Sequence, residues 1–310
     1  MKKKDRASRD VEEYRDRARS VIKHHLGAVK RVNYLSSGRT NFVFECFVSE
    51  GEFVVRISPH AHHLNLFIKE QWATNAAKNA GIPVAEILEV GAELIDFPYM
   101  ITRKTAGLDA EDHPKRLEIL KELGKLGARI NSIRTKGFGE TFDWSDNKLS
   151  KNATFEDWLF GEFDAVGKLE TLRKNGLIDT ERVSELQDIF VSASAIRSRP
   201  VLNHGDLRLK NAIVDTSGKI LAVIDWERCM SNISPSWELS TALHDLGIDG
   251  KQQFIEGYGI KPKQLANSIP LIRAFNIANY ARSSETLGKN KKDLELYRLR
   301  LNGLLDLYSI

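Results

Sequence analysis

The densest run of chemically capable residues is His204-Gly205-Asp206-Leu207-Arg208-Leu209-Lys210-Asn211, set between Val201-Leu202 and Ala212-Ile213-Val214. A buried, strand-like segment thus delivers a histidine, a carboxylate and a carboxamide into a short loop. Fourteen residues beyond Asn211, the apolar run Ile220-Leu221-Ala222-Val223-Ile224 delivers a second acid, Asp225. The turn Thr216-Ser217-Gly218 between them folds the chain back, which predicts Asn211 and Asp225 side by side. An amide oxygen and a carboxylate in that arrangement suit Mg²⁺, which takes few protein ligands and completes its shell with phosphate oxygens and water. Asp206, one short loop away, is then placed to orient an attacking hydroxyl and accept its proton. A loop of Asx turns with Asp225 as a cap is the plainer alternative. It does not account for the second acid arriving behind an apolar strand.

Such a loop needs a scaffold, and the hydrophobic pattern supplies one. Val11, Tyr14, Ala18, Val21, Ile22 and Leu26 form one helical stripe. Phe42, Phe44, Cys46 and Val48 alternate, the turn Ser49-Glu50-Gly51-Glu52 follows, and Phe53-Val54-Val55-Arg56-Ile57 resumes, which predicts a hairpin. Residues 64–80 read as a helix ended by Gly81 and Pro83, with further strands at 87–91 and 99–102. After Gly107 helical patterns dominate: 115–133, 155–168, 180–196, 235–246 and 271–308 with breaks. One short hairpin, 211–215 with 221–226, interrupts them. A β-rich first third followed by a helix-rich remainder is an α+β chain of two lobes, with a ligand expected in the cleft between them.

Composition limits the function classes. The 310 residues are 42% hydrophobic and 28% charged, ordinary values for a globular chain large enough to fold without disulfides. Two cysteines, Cys46 and Cys229, exclude a disulfide framework or a four-thiol zinc site. The start, MKKKDRASRD, leads into more charge and no long apolar run follows, so a cytoplasmic protein without membrane association is expected. Lys and Arg outnumber Asp and Glu by 46 to 42, a mild excess that predicts no nucleic-acid partner. The clusters Lys2–Lys4 and Lys289, Lys291, Lys292 read as solvated tails. Gly161 to Gly167-Lys168 misses the phosphate-loop spacing by one residue and lacks the Ser or Thr after Lys. His60, His62 and His63 lack a convincing fourth ligand for a metal.

The motifs HGDLRLKN and VIDWE resemble the catalytic core of the aminoglycoside phosphotransferase and choline kinase-like superfamily, whose fold is that of protein kinases. The resemblance runs from about Val32 to the Trp237 segment. It implies a bilobal molecule with a small β-rich N-lobe and a larger helical C-lobe: an N-terminal helical extension over 1–27, a nucleotide-binding N-lobe over 28–104 and a helical C-lobe over 105–310. By that resemblance Asp206 is the catalytic carboxylate, Asn211 and Asp225 hold Mg²⁺, and the nucleotide is ATP or GTP. The segment Leu35-Ser36-Ser37-Gly38-Arg39-Thr40-Asn41-Phe42 is similar to the loop that covers the phosphates, giving Gly38, Arg39, Thr40 and Asn41. Arg56, where relatives often have Lys, matches the phosphate-contacting cation, and Glu70 matches the acid that braces it. Arg103 C=O and Thr105 N–H match the hinge groups that hold the adenine edge. Asn131 stands where relatives usually have His, Glu238 where they usually have Asp, and Arg208 and Lys210 depart from the usual loop filling.

Only about a dozen residues separate Asp225 from Trp237, too few for the activation segment of a protein kinase. A constitutive small-molecule kinase is therefore expected, ahead of a nucleotide-binding pseudokinase scaffold or a nucleic-acid-binding module. For the acceptor, residues 155–164 mix aromatics with four acids, and Glu227, Asp245 and Asp249 add more. Acids beside aromatic faces suit an amine-bearing alcohol. Asp157, Trp158, Glu162 and Glu227 are the acceptor candidates, with an aminoglycoside or other amino-alcohol preferred by a small margin over a neutral sugar or hydroxy-acid derivative.

Overall fold

The computed structural model describes residues 3–35, 41–140, 152–287, 295 and 301. Gly38, Arg39 and Thr40 lie outside the described residues, as does most of the pattern beyond 287. The chain divides into two compact units: Met1–Leu108 with Ile213–Thr216 and Leu221–Glu227, and Asp109–Ala212 with Ser217–Ile220 and Arg228–Ile310.

The first unit begins with α1 (Lys3–Leu26), then β1 (Val29–Leu35), β2 (Phe42–Val48), β3 (Gly51–Ile57), α2 (Leu64–Asn79), β4 (Ile87–Gly91) and β5 (Tyr99–Arg103). The strands form one antiparallel sheet in the order β1-β2-β3-β5-β4. Period-two alternation sets its buried face: Phe44 pairs with Val55 and Cys46 with Phe53, and all four are fully buried. Tyr14, Ala18, Val21 and Ile22 of α1 close over that face, with the Tyr14 ring stacked on Phe42 at 3.8 Å. α1 is thus part of this unit's core.

β6 (Leu108–Asp109) and α3 (Arg116–Ile130) follow, then α4 (Phe155–Asp157), α5 (Ala165–Lys174), α6 (Thr180–Ser194), β7 (Val201–Asn203), β8 (Ala212–Val214), β9 (Ile220–Val223) and β10 (Met230–Asn232). The chain ends in α7 (Ser236–Ala242), α8 (Ile248–Tyr258) and α9 (Pro262–Leu287). β10 pairs with β7, and β6, β8 and β9 form a small sheet in that order. The core of the second unit is aromatic: Phe138, Phe155, Trp158, Phe163, Phe190, Trp237 and Phe275 pack together.

Three expectations change. The single helix expected over 155–168 is α4, a π-helical turn at Trp158–Glu162 and then α5. The break is at Asp164, which adopts a left-handed conformation (φ 51) and caps α5 through the Gly167 N–H. α8 was not expected, because Gly250 and Gly257 weaken its pattern. Gly257 is needed for packing, since a Cβ there would overlap the Lys121 carbonyl of α3. The last helix begins at Pro262, earlier than its apolar stripe indicates. Among the described residues no helix is long and apolar enough to cross a membrane.

Candidate active site

β7 carries the chain into the loop at 204–211, and buried polar groups fix that loop from below. Asn131, at the end of α3, donates to the Leu202 carbonyl at 2.9 Å and accepts from Ser234 Oγ at 2.9 Å and Tyr258 OH at 2.6 Å. Buried Glu238 on α7 accepts from the His204 N–H at 2.6 Å. Burial pushes the Glu238 carboxyl up to about 7, although the His204 and Gly205 N–H groups pull it down. Gly205 adopts φ 75, and a Cβ there would overlap the Arg228 carbonyl oxygen, so only glycine passes this point.

This loop presents Asp206 at 5% exposure. Its carboxylate meets Arg208 at 2.5 Å and Lys210 at 2.8 Å, and Asn211 Nδ2 donates to it at 3.0 Å. Burial alone would raise its pKa, but Lys210, Arg208 and Asn211 together hold it below the ordinary carboxylate value. Asp206 is therefore ionised at neutral pH. Asn211 Nδ2 also donates to the Asp206 main-chain carbonyl at 2.8 Å.

Asp206 and Arg208 also line a recess of about 70 Å³ in the second unit, with Arg228, Ser240, Thr241, His244, Asn276 and Asn279. Arg208 reaches across to Asp245, and its buried Nε lacks a partner among the described residues. Sequence reasoning named Asp206 and Arg208 but missed the α7 and α9 contributors to this lining. A signal was present: Asn276 and Asn279 recur at helical spacing in the mostly apolar run Ala274-Phe275-Asn276-Ile277-Ala278-Asn279.

In the first unit, half-buried Arg56 on β3 and buried Glu70 on α2 form an ion pair. Burial opposes the Arg56 charge, but Glu70, with Asp225 and Glu227 near by, keeps the guanidinium protonated. Asp225 follows β9 with φ 64, a left-handed conformation uncommon outside glycine. Arg103 closes β5, its N–H bonded to the Glu86 carbonyl at 2.8 Å, and Thr105 follows in irregular chain. Asn41 is half-buried, with its Oδ1 enclosed and without a hydrogen-bond partner among the described residues.

The acceptor residues expected in 155–164 have other tasks. Trp158 is 1% exposed, its ring stacked on Phe155 and Phe163 and edge-on to Trp237, so no face is open to a ligand. Asp157 closes a capping box with Thr154, each side chain accepting from the other's N–H at 3.1 and 3.0 Å. Glu162 clasps the turn opposite, accepting from the Glu140 N–H at 2.8 Å and Asn152 Nδ2 at 2.7 Å. Glu227 lies in the first unit, near Arg56. Of the departures noted in sequence, Asn131 is a buried brace and Arg208 faces the recess.

The profile of the phosphotransferase enzyme family matches residues 31–267. The chain belongs to that family. A hygromycin-B 4-O-kinase of Escherichia coli is 23% identical over 236 residues, a match spanning 74% of this chain and 65% of that protein. Less than two thirds of that relative's length is thus matched. Among solved structures, a thermostable mutant of aminoglycoside phosphotransferase APH(4)-Ia, in ternary complex with AMP-PNP and hygromycin B, superposes with a TM-score of 0.70 at 20% identity. The match covers 93% of this chain and 97% of that one. The GDP and kanamycin complex of APH(2")-IIia gives a TM-score of 0.63 at 15% identity, covering 94% and 97%. At those identities the family members share the α+β kinase-like fold.

Proposed function

We propose that this chain is a small-molecule kinase that transfers the γ-phosphate of ATP or GTP to a hydroxyl of a small acceptor. The observation that carries this reading is Asp206: a buried carboxylate, held ionised by Arg208, Lys210 and Asn211, at the wall of a recess. Phosphoryl transfer passes through a loose transition state, so its acid chiefly orients the hydroxyl and takes the proton late. An ionised, firmly held carboxylate suits that task better than a strong base would.

Asn211 and Asp225 offer an amide oxygen and a carboxylate, the hard donors that Mg²⁺ takes. Bound there, Mg²⁺ would neutralise charge on the phosphates. Arg56, braced by Glu70, would contact the phosphates. Backbone groups at Gly38, Arg39, Thr40 and Asn41 would cover them, with Arg103 C=O and Thr105 N–H on the adenine edge.

A hydroxyl-bearing edge of the acceptor would reach the recess beside Asp206, which at about 70 Å³ takes a small group and not a whole molecule. Its lining of amides, hydroxyls and guanidinium groups suits a polyhydroxylated molecule, and the family relative's action on hygromycin B supports an aminoglycoside. The acids of 155–164 no longer contribute to that argument. The test is a coupled assay with Mg·ATP across hygromycin B, other aminoglycosides, choline-like alcohols, sugars and hydroxy acids. Turnover with a polyhydroxylated acceptor, whose KM rises in Asn279→Ala while that of ATP stays fixed, is expected. Turnover only with small monohydroxylated alcohols, or no effect of Asn279→Ala, contradicts this placement of the acceptor.

A further inference from the structure

α2 carries two charged residues in succession, Lys69 and Glu70, and both are buried, at 1% and 3% exposure. Glu70 is matched by Arg56. The hydrogen bond of Lys69 goes instead to a main-chain carbonyl, that of Glu227, at 3.0 Å from Nζ. Burying an ammonium against one neutral acceptor costs more in lost hydration than such a bond returns. An apolar side chain of similar length would serve the core better, so fold stability does not account for this lysine.

What Lys69 reaches is the turn that bears Asp225. A left-handed conformation at a non-glycine residue is strained and persists only where the surroundings over-determine it. Before the turn, Val223 is anchored through its N–H to the Pro83 carbonyl at 2.8 Å, and its own carbonyl accepts from Trp226 Nε1 at 3.1 Å. After the turn, the Lys69 bond fixes the Glu227 carbonyl. All of these residues belong to the first unit.

We propose that Lys69 is a positioning residue for metal–nucleotide binding, clamping the Asp225 turn to α2. The same helix then sets both the phosphate-facing cation, through Glu70, and the metal-facing carboxylate, through Lys69. The inference rests on the reading of Asp225 as an Mg²⁺ ligand.

The experiment is calorimetric binding of ATP in Mg²⁺ and in EDTA, with Tm alongside, for wild type, Lys69→Met and Lys69→Arg. Wild type should bind more tightly with Mg²⁺. Lys69→Met should keep its EDTA affinity and lose about tenfold of the Mg²⁺-dependent gain, the usual effect of removing a group that orients a metal ligand. Lys69→Arg, which keeps a charged donor, should recover part of it. The EDTA arm separates this effect from simple loss of a positive charge near the phosphates, and Tm separates it from a packing role. If Lys69→Met does not fold, Lys69→Gln, one atom too short to reach the carbonyl, is read on the same ratio. A folded Met or Gln variant with the wild-type Mg²⁺ gain overturns the clamp and leaves the Asp225 assignment standing. A wild type without any Mg²⁺ gain overturns the metal reading, and the clamp with it.

Discussion

Two stretches of this chain offer carboxylates among large apolar residues, the loop at 204–211 and the segment at 154–164, and they use them differently. In the second, Asp157, Glu162 and Asp164 accept from backbone N–H groups close at hand: those of Thr154, Glu140 and Gly167. Each completes a cap or a turn, and the aromatic rings between them are buried in the core. In the first, Asp206 is clasped by the side chains of Arg208 and Lys210 and opens onto a recess. A carboxylate satisfied by local backbone is finished structure. One held by cationic side chains beside a cavity can exchange those partners for a ligand.

The contrast can be broken most severely at Trp158. If its ring is core, Trp158→Ala should cost about 3–5 kcal/mol of stability, read by urea unfolding. A near-neutral variant with a raised acceptor KM would return that ring to the binding surface. A smaller effect is expected below the loop at 204–211. Glu238 has its folded-state pKa raised from 4.5 to about 7, so the folded state holds an extra proton in that window. Stability from this group is fully present below pH 4.5 and is lost as pH rises to about 7. Glu238→Gln stays neutral throughout, so its stability relative to wild type should improve across that window, by on the order of 1–3 kcal/mol. A pH-independent difference would mean that the carboxylate is ionised throughout. The smallest effect belongs to Asp157. Asp157→Ala should lower stability by about 0.5–1 kcal/mol through the lost capping box and leave acceptor KM unchanged. A several-fold rise in KM at constant Tm would erase the distinction between the two stretches.

The loop at 204–211 was legible because its residue types are dense and framed by apolar strands, and the N-terminal hairpin because Phe42, Phe44, Cys46 and Val48 alternate ahead of the turn at 49–52. The recess was less so. Its lining comes from Arg228, α7 and α9, distant in sequence from Asp206, and short-range spacing does not report that convergence. Residues 155–164 misled for a related reason. Acids beside aromatics describe a binding surface and a capped, core-packed helix equally well. The choice is made by tertiary contacts of Trp158 with Trp237 and Phe275 that no local pattern encodes. α8 escaped notice because Gly250 and Gly257, which depress helix propensity, are where it packs against α3.

The central claim is that Asp206 acts on the acceptor hydroxyl and not on the nucleotide or the fold. Asp206→Asn is nearly isosteric and keeps an oxygen for Asn211, so steady-state turnover and Mg·ATP affinity measured on this variant test the claim together. The expected result is a fall in kcat on the order of 10² or more, with nucleotide affinity and Tm close to wild type. Parallel losses of affinity and turnover, or turnover at the wild-type rate, would contradict it.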